Sequence, residues 1–188
     1  FRDAHDLGYQ NIVDIHSTSG QGILRRERIP QLEVPVDYCP GPGGLKNLWA
    51  MAYHPETRAF YIPLTPGCAH SVFSAMPDPE VGGGGVGLNN RQFVVHPDSP
   101  EHLGDFVAMD SQTGDILWRR RSRWQYGTAV LTTAGGLVFV GDIERYMYAF
   151  DARDGTELWR TRTPTATDGF PITYAVDGRQ YLVVPSGP

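Results

Sequence analysis

Histidine and cysteine are the side chains of this sequence best suited to bind a metal or act as a nucleophile. No two histidines show the H-x-H or H-x-x-x-H spacing that brings two imidazoles onto one metal ion. The sequence also lacks a G-x-S-x-G nucleophile elbow. The residues alone therefore define no catalytic centre and no metal centre. The six histidines are His5, His16, His54, His70, His96 and His102.

Two cysteines, Cys39 and Cys68, lie in stretches rich in proline and glycine, without a second ligand at metal-binding spacing. A disulfide between them would close a loop of roughly thirty residues and stabilise the fold by about 3 kcal/mol or somewhat more. Free thiols are the alternative. The two residues by themselves leave both states open.

Gly82, Gly84 and Gly87 satisfy the G-x-G-x-x-G pattern of dinucleotide sites. That fingerprint needs a preceding strand and a following helix, so that the pyrophosphate meets the helix N-terminus. Prolines precede these glycines and Asn89-Asn90-Arg91 follows them. We therefore predict a loop and no dinucleotide site.

An internal repeat organises the chain and predicts its elements. Residues 108–119 match residues 149–160 at an offset of 41, with Ala, Asp, Gly, Leu, Trp and Arg identical. A period of about forty residues is typical of a four-stranded propeller blade. In each copy an Asp can accept backbone N–H groups within a turn, and a Gly four residues later can adopt a positive φ. Each copy then enters a strand that carries one tryptophan, Trp118 or Trp159.

Further strands and hairpins flank the two copies. Aromatic and β-branched runs predict them, and the Asp177-Gly178 dipeptide indicates a type I′ turn. The N-terminal part shows a weaker echo of the repeat, and Arg58 stands where a turn glycine is expected. The expected strands cover residues 49–53, 59–63, 106–109, 128–133, 137–141, 146–150, 171–176 and 180–184.

We predict a single all-β domain over residues 1–188, with blade repeats near residues 101–121 and 142–162. A long irregular insertion is expected at residues 66–100. The 22 glycines and 15 prolines fit a chain of short strands and turns. Divided by the period of 41, the length corresponds to about four and a half blades, and to fewer once the insertion is allowed for.

Charge and hydropathy exclude two classes of function. The chain carries 16 basic and 21 acidic residues, a formal net charge of −5, which disfavours a nucleic-acid binder. It has no apolar run of eighteen residues, so we expect no membrane span. Lys46 is the only lysine and the other basic residues are arginines; codon composition is the simpler reason for that bias, and bidentate pairing the alternative.

The repeat Ala-x-Asp-x-x-x-Gly-x-x-Leu-Trp is similar to the tryptophan-docking motif of the dehydrogenases that depend on pyrroloquinoline quinone (PQQ), which are eight-bladed β-propellers. Four further stretches resemble successive landmarks of that family's C-terminal half. They are Tyr38-Cys39-Pro40 to Asn47, residues 49–57, residues 131–139 and residues 169–181. The resemblance implies a partial propeller of about three to four four-stranded blades, with the N-terminal half of the ring missing.

The resemblance also implies the roles of particular residues. In the family each docking tryptophan packs on the neighbouring blade, which assigns a structural role to Trp118 and Trp159. The cysteine spacing resembles that of the methanol dehydrogenase branch and implies a Cys39–Cys68 disulfide. Asn47 corresponds to an asparagine that hydrogen-bonds the quinone, although an amide that satisfies the start of a strand is the alternative.

A cofactor-contacting aromatic of some family members corresponds to Trp124 or Tyr126, where this sequence departs by about two residues. The family oxidises primary alcohols by hydride transfer to PQQ, assisted by Ca²⁺ or a lanthanide ion. Its electrons pass to a cytochrome c or a quinone, and its members are periplasmic. The resemblance places the catalytic and metal-ligating residues before Phe1, so we expect no catalytic or metal ligand here and no activity from these residues alone. We therefore expect this chain to be a fragment that needs the rest of its propeller.

The alternative is a non-catalytic propeller that shares the tryptophan repeat and serves as a protein-binding scaffold. That class would not be expected to carry the Cys-Pro loop with Asn47 or the spaced pair Cys39 and Cys68. An unrelated sugar- or peptide-binding propeller is a third reading.

Overall fold

A computed structural model describes residues 5, 7–15, 19–75, 88–97 and 99–187. Within these ranges the chain forms fifteen β-strands and one 3₁₀ helix, Arg26–Arg28. The strands are β1 Val13–Ile15, β2 Gly22–Leu24, β3 Pro35–Tyr38, β4 Ala52–His54, β5 Ala59–Leu64, β6 Cys68–Phe73, β7 Leu88–Val94, β8 Gly104–Asp110, β9 Ile116–Ser122, β10 Leu131–Thr132, β11 Leu137–Gly141, β12 Tyr146–Asp151, β13 Glu157–Arg162, β14 Ile172–Val176 and β15 Arg179–Val183.

The strands confirm the all-β prediction and form antiparallel sheets. The described residues contain two sheets of four strands, ordered β4-β5-β8-β9 and β10-β11-β12-β13. A third sheet has the order β3-β6-β7, and β1-β2 and β14-β15 are two-stranded. Neighbouring strands in both four-stranded sheets follow one another along the chain, apart from the step from β5 to β8. That step is where residues 66–100 are inserted.

The chain divides into two compact units, residues Phe1–Leu45 with Pro66–Pro100 and residues Lys46–Thr65 with Glu101–Pro188. The expectation of one domain over residues 1–188 stays a prediction. The insertion differs from its prediction, because β6 and β7 form a sheet with β3 where irregular chain was expected. Gly82, Gly84 and Gly87 lie outside the described residues.

A disulfide joins Cys39 and Cys68 in the first unit, as the family resemblance implied. Both cysteines are buried, and their Cα atoms are 4.4 Å apart. The buried Asn11 holds the same loop, since its Oδ1 accepts the N–H of Cys39 at 2.8 Å and its N–H donates to the Cys39 carbonyl at 3.0 Å. Gly41 adds a bond of 2.7 Å from its N–H to the Gly67 carbonyl.

The repeated turns have the predicted chemistry. Asp110 Oδ1 accepts the N–H groups of Gln112 at 2.7 Å and Thr113 at 3.0 Å, while Gly114 adopts φ +78°. The second turn repeats the pattern, with Asp151 Oδ1 accepting a backbone N–H at 2.8 Å. Backbone N–H bonds lower the pKa of Asp110, the bond from Thr113 most of all. The carboxylate form of this side chain therefore stabilises the turn.

Two other turns also match the sequence. Arg58 has φ +53°, so it takes the left-handed conformation at the position where a glycine was expected. Asp177 and Gly178 have φ +51° and +76°, as a type I′ hairpin requires.

The core of the second unit lies between its two four-stranded sheets. One face of the β4-β5-β8-β9 sheet packs on β11 and β12. At its centre Phe106 is fully buried and lies 5.5 Å from the ring of Trp118 and 5.9 Å from that of Phe150. The buried residues of this core are Ala59, Tyr61, Phe106, Ala108, Trp118, Tyr126, Val130, Val138, Val140, Phe150 and Ala152.

Trp118 fastens the first of these sheets to the second. Its indole N–H donates to the carbonyl of Ala152 at 3.1 Å, and the hydroxyl of Tyr61 donates to the same carbonyl at 2.8 Å. The indole also covers Gly155, where an added Cβ would lie 2.8 Å from the ring. Only glycine fits this position, because a side chain there would displace the tryptophan and φ is +71°.

Trp159 occupies the equivalent position of the next sheet but is much more exposed. Its exposed fraction is 45%, against 9% for Trp118. It lines an open apolar pocket of about 300 Å³ with Leu158, Leu182 and residues of β11 and β12. Among the described residues, the hairpin β14-β15 offers no counterpart of the turn that covers Trp118.

Asp105 is a charged group in an apolar setting. It is 6% exposed, and its Oδ1 has no hydrogen-bond partner among the described residues. Its Oδ2 lies 3.5 Å from Nη1 of Arg119. Burial raises the pKa of Asp105, and the charges of Arg119, Arg121 and His102 with the N–H of Phe106 oppose that rise. The folded chain therefore favours the protonated acid relative to the unfolded chain.

We expect the two tryptophans to differ in their contribution to stability. Trp118→Ala should lower the free energy of unfolding by about 3–5 kcal/mol, because it opens a cavity and removes one hydrogen bond to Ala152. Trp159→Ala should cost about 1 kcal/mol or less, since its side chain is already half exposed. Urea unfolding of both variants measures the difference, and equal losses would contradict the packing described.

Asp105 should make stability fall as the pH rises above its unfolded pKa of about 3.9, because its folded pKa is higher. The stabilisation by the bound proton is complete below the unfolded pKa and is lost as the pH rises through the folded pKa. The melting temperature of Asp105→Asn relative to the wild type should therefore increase with pH.

Asp110→Asn is the matched control for the Asp105 measurement. The pKa of Asp110 is lowered, so its stabilisation is present above the unfolded pKa and is lost as the pH falls through the folded one. Its melting temperature relative to the wild type should decrease as the pH rises. If both melting-temperature differences changed with pH in the same direction, the opposite pKa shifts of Asp105 and Asp110 would be refuted.

Candidate functional site

Three segments that lead into the first strands of consecutive sheets lie side by side in the second unit. They are residues 46–51 before β4, residues 123–130 before β10 and residues 163–171 before β14. The N–H of Val130 donates to the carbonyl of Ala50, and the N–H of Ala129 donates to that of Gly169, both at 2.9 Å. The middle segment is thus hydrogen-bonded to the segments on either side. We call these three segments the leading loops.

Small residues allow the close approach of these loops. Gly127 donates its N–H to the carbonyl of Gly141 at 2.8 Å, and Thr128 Oγ1 accepts the Gly141 N–H at 2.8 Å. An added Cβ on Gly127 would lie 2.7 Å from the Thr167 carbonyl. Thr167 is held in turn by a bond of 2.7 Å from its Oγ1 to the carbonyl of Asp142. The backbone of the leading loops is therefore fixed by packing and by buried hydrogen bonds.

Asn47 is placed where a ligand can reach it. The residue is exposed, and its side-chain amide has no hydrogen-bond partner among the described residues. The amide can both donate and accept, which suits a quinone carbonyl or a carboxylate. The alternative was that the Asn47 amide hydrogen-bonds the backbone at the start of a strand. No such contact is present among the described residues.

The structure separates the two aromatic candidates. Trp124 is half-buried, the guanidinium of Arg123 lies 5.4 Å from its ring centre, and its carbonyl lies against Gly104. Tyr126 is 4% exposed and lies 5.5 Å from the ring of Phe106, so it is part of the core. Burial raises the pKa of Tyr126, with the charge of Asp142 as the next cause. Trp124 is the more accessible of the two, and a cofactor contact by either stays a prediction.

Lys46 lies beside Asn47, although the sequence analysis noted it only as the single lysine and assigned it no place in the site. Its ammonium donates to the carbonyl of Asn47 at 2.7 Å and to that of Trp49 at 2.5 Å. The signal was present in the sequence, because the only lysine of the chain directly precedes the asparagine. The composition alone, however, gave no reason to prefer a structural role over codon bias.

No group of three His, Cys, Asp or Glu side chains in the described ranges is arranged to hold a metal ion. Within the same ranges, no helix has the length and apolarity needed to cross a membrane.

Comparison with known proteins agrees with this fold. Residues 123–182 match the family model "PQQ: Glucose/ethanol/alcohol dehydrogenase, beta-propeller domain". The chain is 34% identical to the quinoprotein ethanol dehydrogenase of Pseudomonas putida over 81% of its own length and 24% of that protein. It is 35% identical to the 1-butanol dehydrogenase (cytochrome c) of Thauera butanivorans over 98% of its length and 28% of that protein.

A solved structure shows the same architecture. The europium-containing methanol dehydrogenase superposes with a TM-score of 0.89 and 25% identity, covering 98% of this chain and 32% of that one. The fold is therefore that of a β-propeller built from tryptophan-docked sheets. The chain is similar over most of its length to quinoprotein alcohol dehydrogenases, and its residues 123–182 match the PQQ β-propeller domain family. It spans about a quarter of the length of the curated relatives it matches.

The Cys39–Cys68 disulfide of the first unit should contribute measurably to stability. It closes a loop with a sequence separation of 29, so Cys39→Ser with Cys68→Ser should lower the free energy of unfolding by about 3–4 kcal/mol. Chemical denaturation with and without a reductant gives the same comparison in the wild type. A wild type that is indifferent to reduction would argue against the bridge.

Proposed function

We propose that this chain supplies part of the PQQ pocket of a dehydrogenase that oxidises primary alcohols to aldehydes. The observation that carries the proposal is the exposed, unpaired amide of Asn47 at the edge of the hydrogen-bonded leading loops. The relatives support it, since quinoprotein alcohol dehydrogenases match most of the chain.

The residues of the chain fit the cofactor's binding and orientation. When bound, PQQ supplies the hydride-accepting quinone. Asn47 offers one donor and one acceptor to its polar edge, and Trp124 offers a half-buried aromatic surface. The fixed leading loops hold these groups on rigid backbone, which limits the entropy lost on binding.

Several finer features belong to the same proposal. The catalytic aspartate and the ligands of a Ca²⁺ or lanthanide ion are expected from polypeptide outside these residues. The europium in the name of the methanol dehydrogenase neighbour supports a lanthanide as one option. Transfer of electrons to a cytochrome c is supported by the name of the butanol dehydrogenase relative. A quinone acceptor and a periplasmic location follow from the family resemblance alone.

The test uses the full-length protein that carries this chain, purified and titrated with PQQ. The wild type should bind PQQ and reduce a dye with a primary alcohol. Asn47→Ala should weaken PQQ binding roughly tenfold, since a hydrogen bond to a polar ligand contributes about 1.5 kcal/mol. Quenching of tryptophan fluorescence measures the affinity.

Gln112→Ala is the matched control, because Gln112 is an exposed amide on the Asp110 turn of the same unit. It should leave the affinity unchanged. A wild type without PQQ-dependent alcohol oxidation would overturn the proposed function. Equal affinity in the wild type and Asn47→Ala would remove Asn47 from the pocket.

A further inference from the structure

The ammonium of Lys46 bridges two carbonyls of the segment that presents Asn47. Nζ lies 2.7 Å from the Asn47 oxygen and 2.5 Å from the Trp49 oxygen. The bridge therefore spans the backbone on both sides of Leu48 and cross-links the start of the first leading loop. A compact ammonium with three donors can reach two such carbonyls, whereas the flat guanidinium of arginine presents its donors in a fixed fork.

Among the described residues, the ammonium of Lys46 contacts two carbonyl oxygens and forms no ion pair with a carboxylate. Burial lowers the pKa of Lys46, and no acidic residue is among the causes of that shift. The hydrogen bonds to the two carbonyl oxygens thus offset part of the free energy that is lost when the ammonium is partly buried. The two contacts hold the ammonium in place despite that burial and stabilise one conformation of the loop.

The next leading loop begins its contacts directly after this bridge. The carbonyl of Ala50, one residue beyond Trp49, accepts the N–H of Val130. The segment from Asn47 to Ala50 is therefore fixed by Lys46 at one end and by the neighbouring loop at the other. The exposed amide of Asn47 lies at the Lys46 end, where nothing else among the described residues orients it.

We propose that Lys46 is a positioning residue, whose ammonium orients Asn47 for hydrogen bonding to the cofactor. The inference rests on the proposed function and deepens it, because it names the group that sets the geometry of the asparagine. Lys46 acts through Asn47 and need not touch the cofactor itself. Its effect must therefore vanish when Asn47 lacks its amide.

A double-mutant cycle in the full-length protein tests this dependence. The variants are Lys46→Met, Asn47→Ala and the pair combined, each titrated with PQQ. Each single variant should weaken binding roughly tenfold, and the combined variant should also lose about tenfold. A loss of about a hundredfold in the combined variant would mean that Lys46 acts independently of Asn47, and would overturn the inference.

Two further readouts separate positioning from general stability. Lys46→Met should speed hydrogen exchange of the backbone amides in residues 47–51 without PQQ, while the melting temperature changes little. Lys46→Arg should restore only part of the affinity, because its fork does not reproduce the two carbonyl contacts. Full affinity in Lys46→Met, with Asn47→Ala impaired, would overturn the positioning role and leave the proposed function intact. Loss of PQQ binding by the wild type itself would overturn both.

Discussion

The carbonyl oxygen of Ala152 is the acceptor on which the core of the second unit depends. It receives the indole N–H of Trp118 and the hydroxyl of Tyr61, both from the preceding sheet. A buried carbonyl with two donors joins the sheets directionally, while the apolar side chains around it supply most of the favourable burial energy. The bare backbone of Gly155 completes the contact, since it gives the indole a flat surface to cover.

The contact between the two four-stranded sheets also determines where the candidate site lies. Once two sheets are joined face to face, the segments that enter their first strands must run side by side. Val130 and Ala129 then bond to Ala50 and Gly169 on either side. The site thus follows from the docking of sheets: packing fixes the backbone, and polar side chains such as Asn47 are presented on it. The 41-residue spacing of the repeat therefore sets where these loops lie in the unit.

The sequence predicted those elements whose cause is local. Asp110 with Gly114, and Asp177 with Gly178, carry their own turn chemistry, so the structure matches the expectation there. The tryptophans were harder to predict. Trp118 and Trp159 have the same neighbours in sequence, yet one is buried and the other is half exposed, because burial depends on the surface of the next sheet. The strands β6 and β7 were missed because a long insertion rich in glycine and proline concealed them.

The candidate site residues also differ in how far the sequence alone could predict their surroundings. Asn47 was found through family resemblance, and the structure shows an exposed amide. Tyr126 looked equivalent to Trp124 in sequence, but its ring lies in the core beside Phe106. Lys46 was noticed only as a compositional oddity, since its role comes from two carbonyls that fold back onto it.

The central claim is that the leading loops form one wall of a PQQ pocket. A crystal structure of the full-length protein with PQQ bound tests it most directly. The account predicts an atom of the Asn47 amide within about 2.7–3.2 Å of a cofactor oxygen or nitrogen, with Lys46 still bridging its two carbonyls. A cofactor bound away from residues 46–51 would contradict the account.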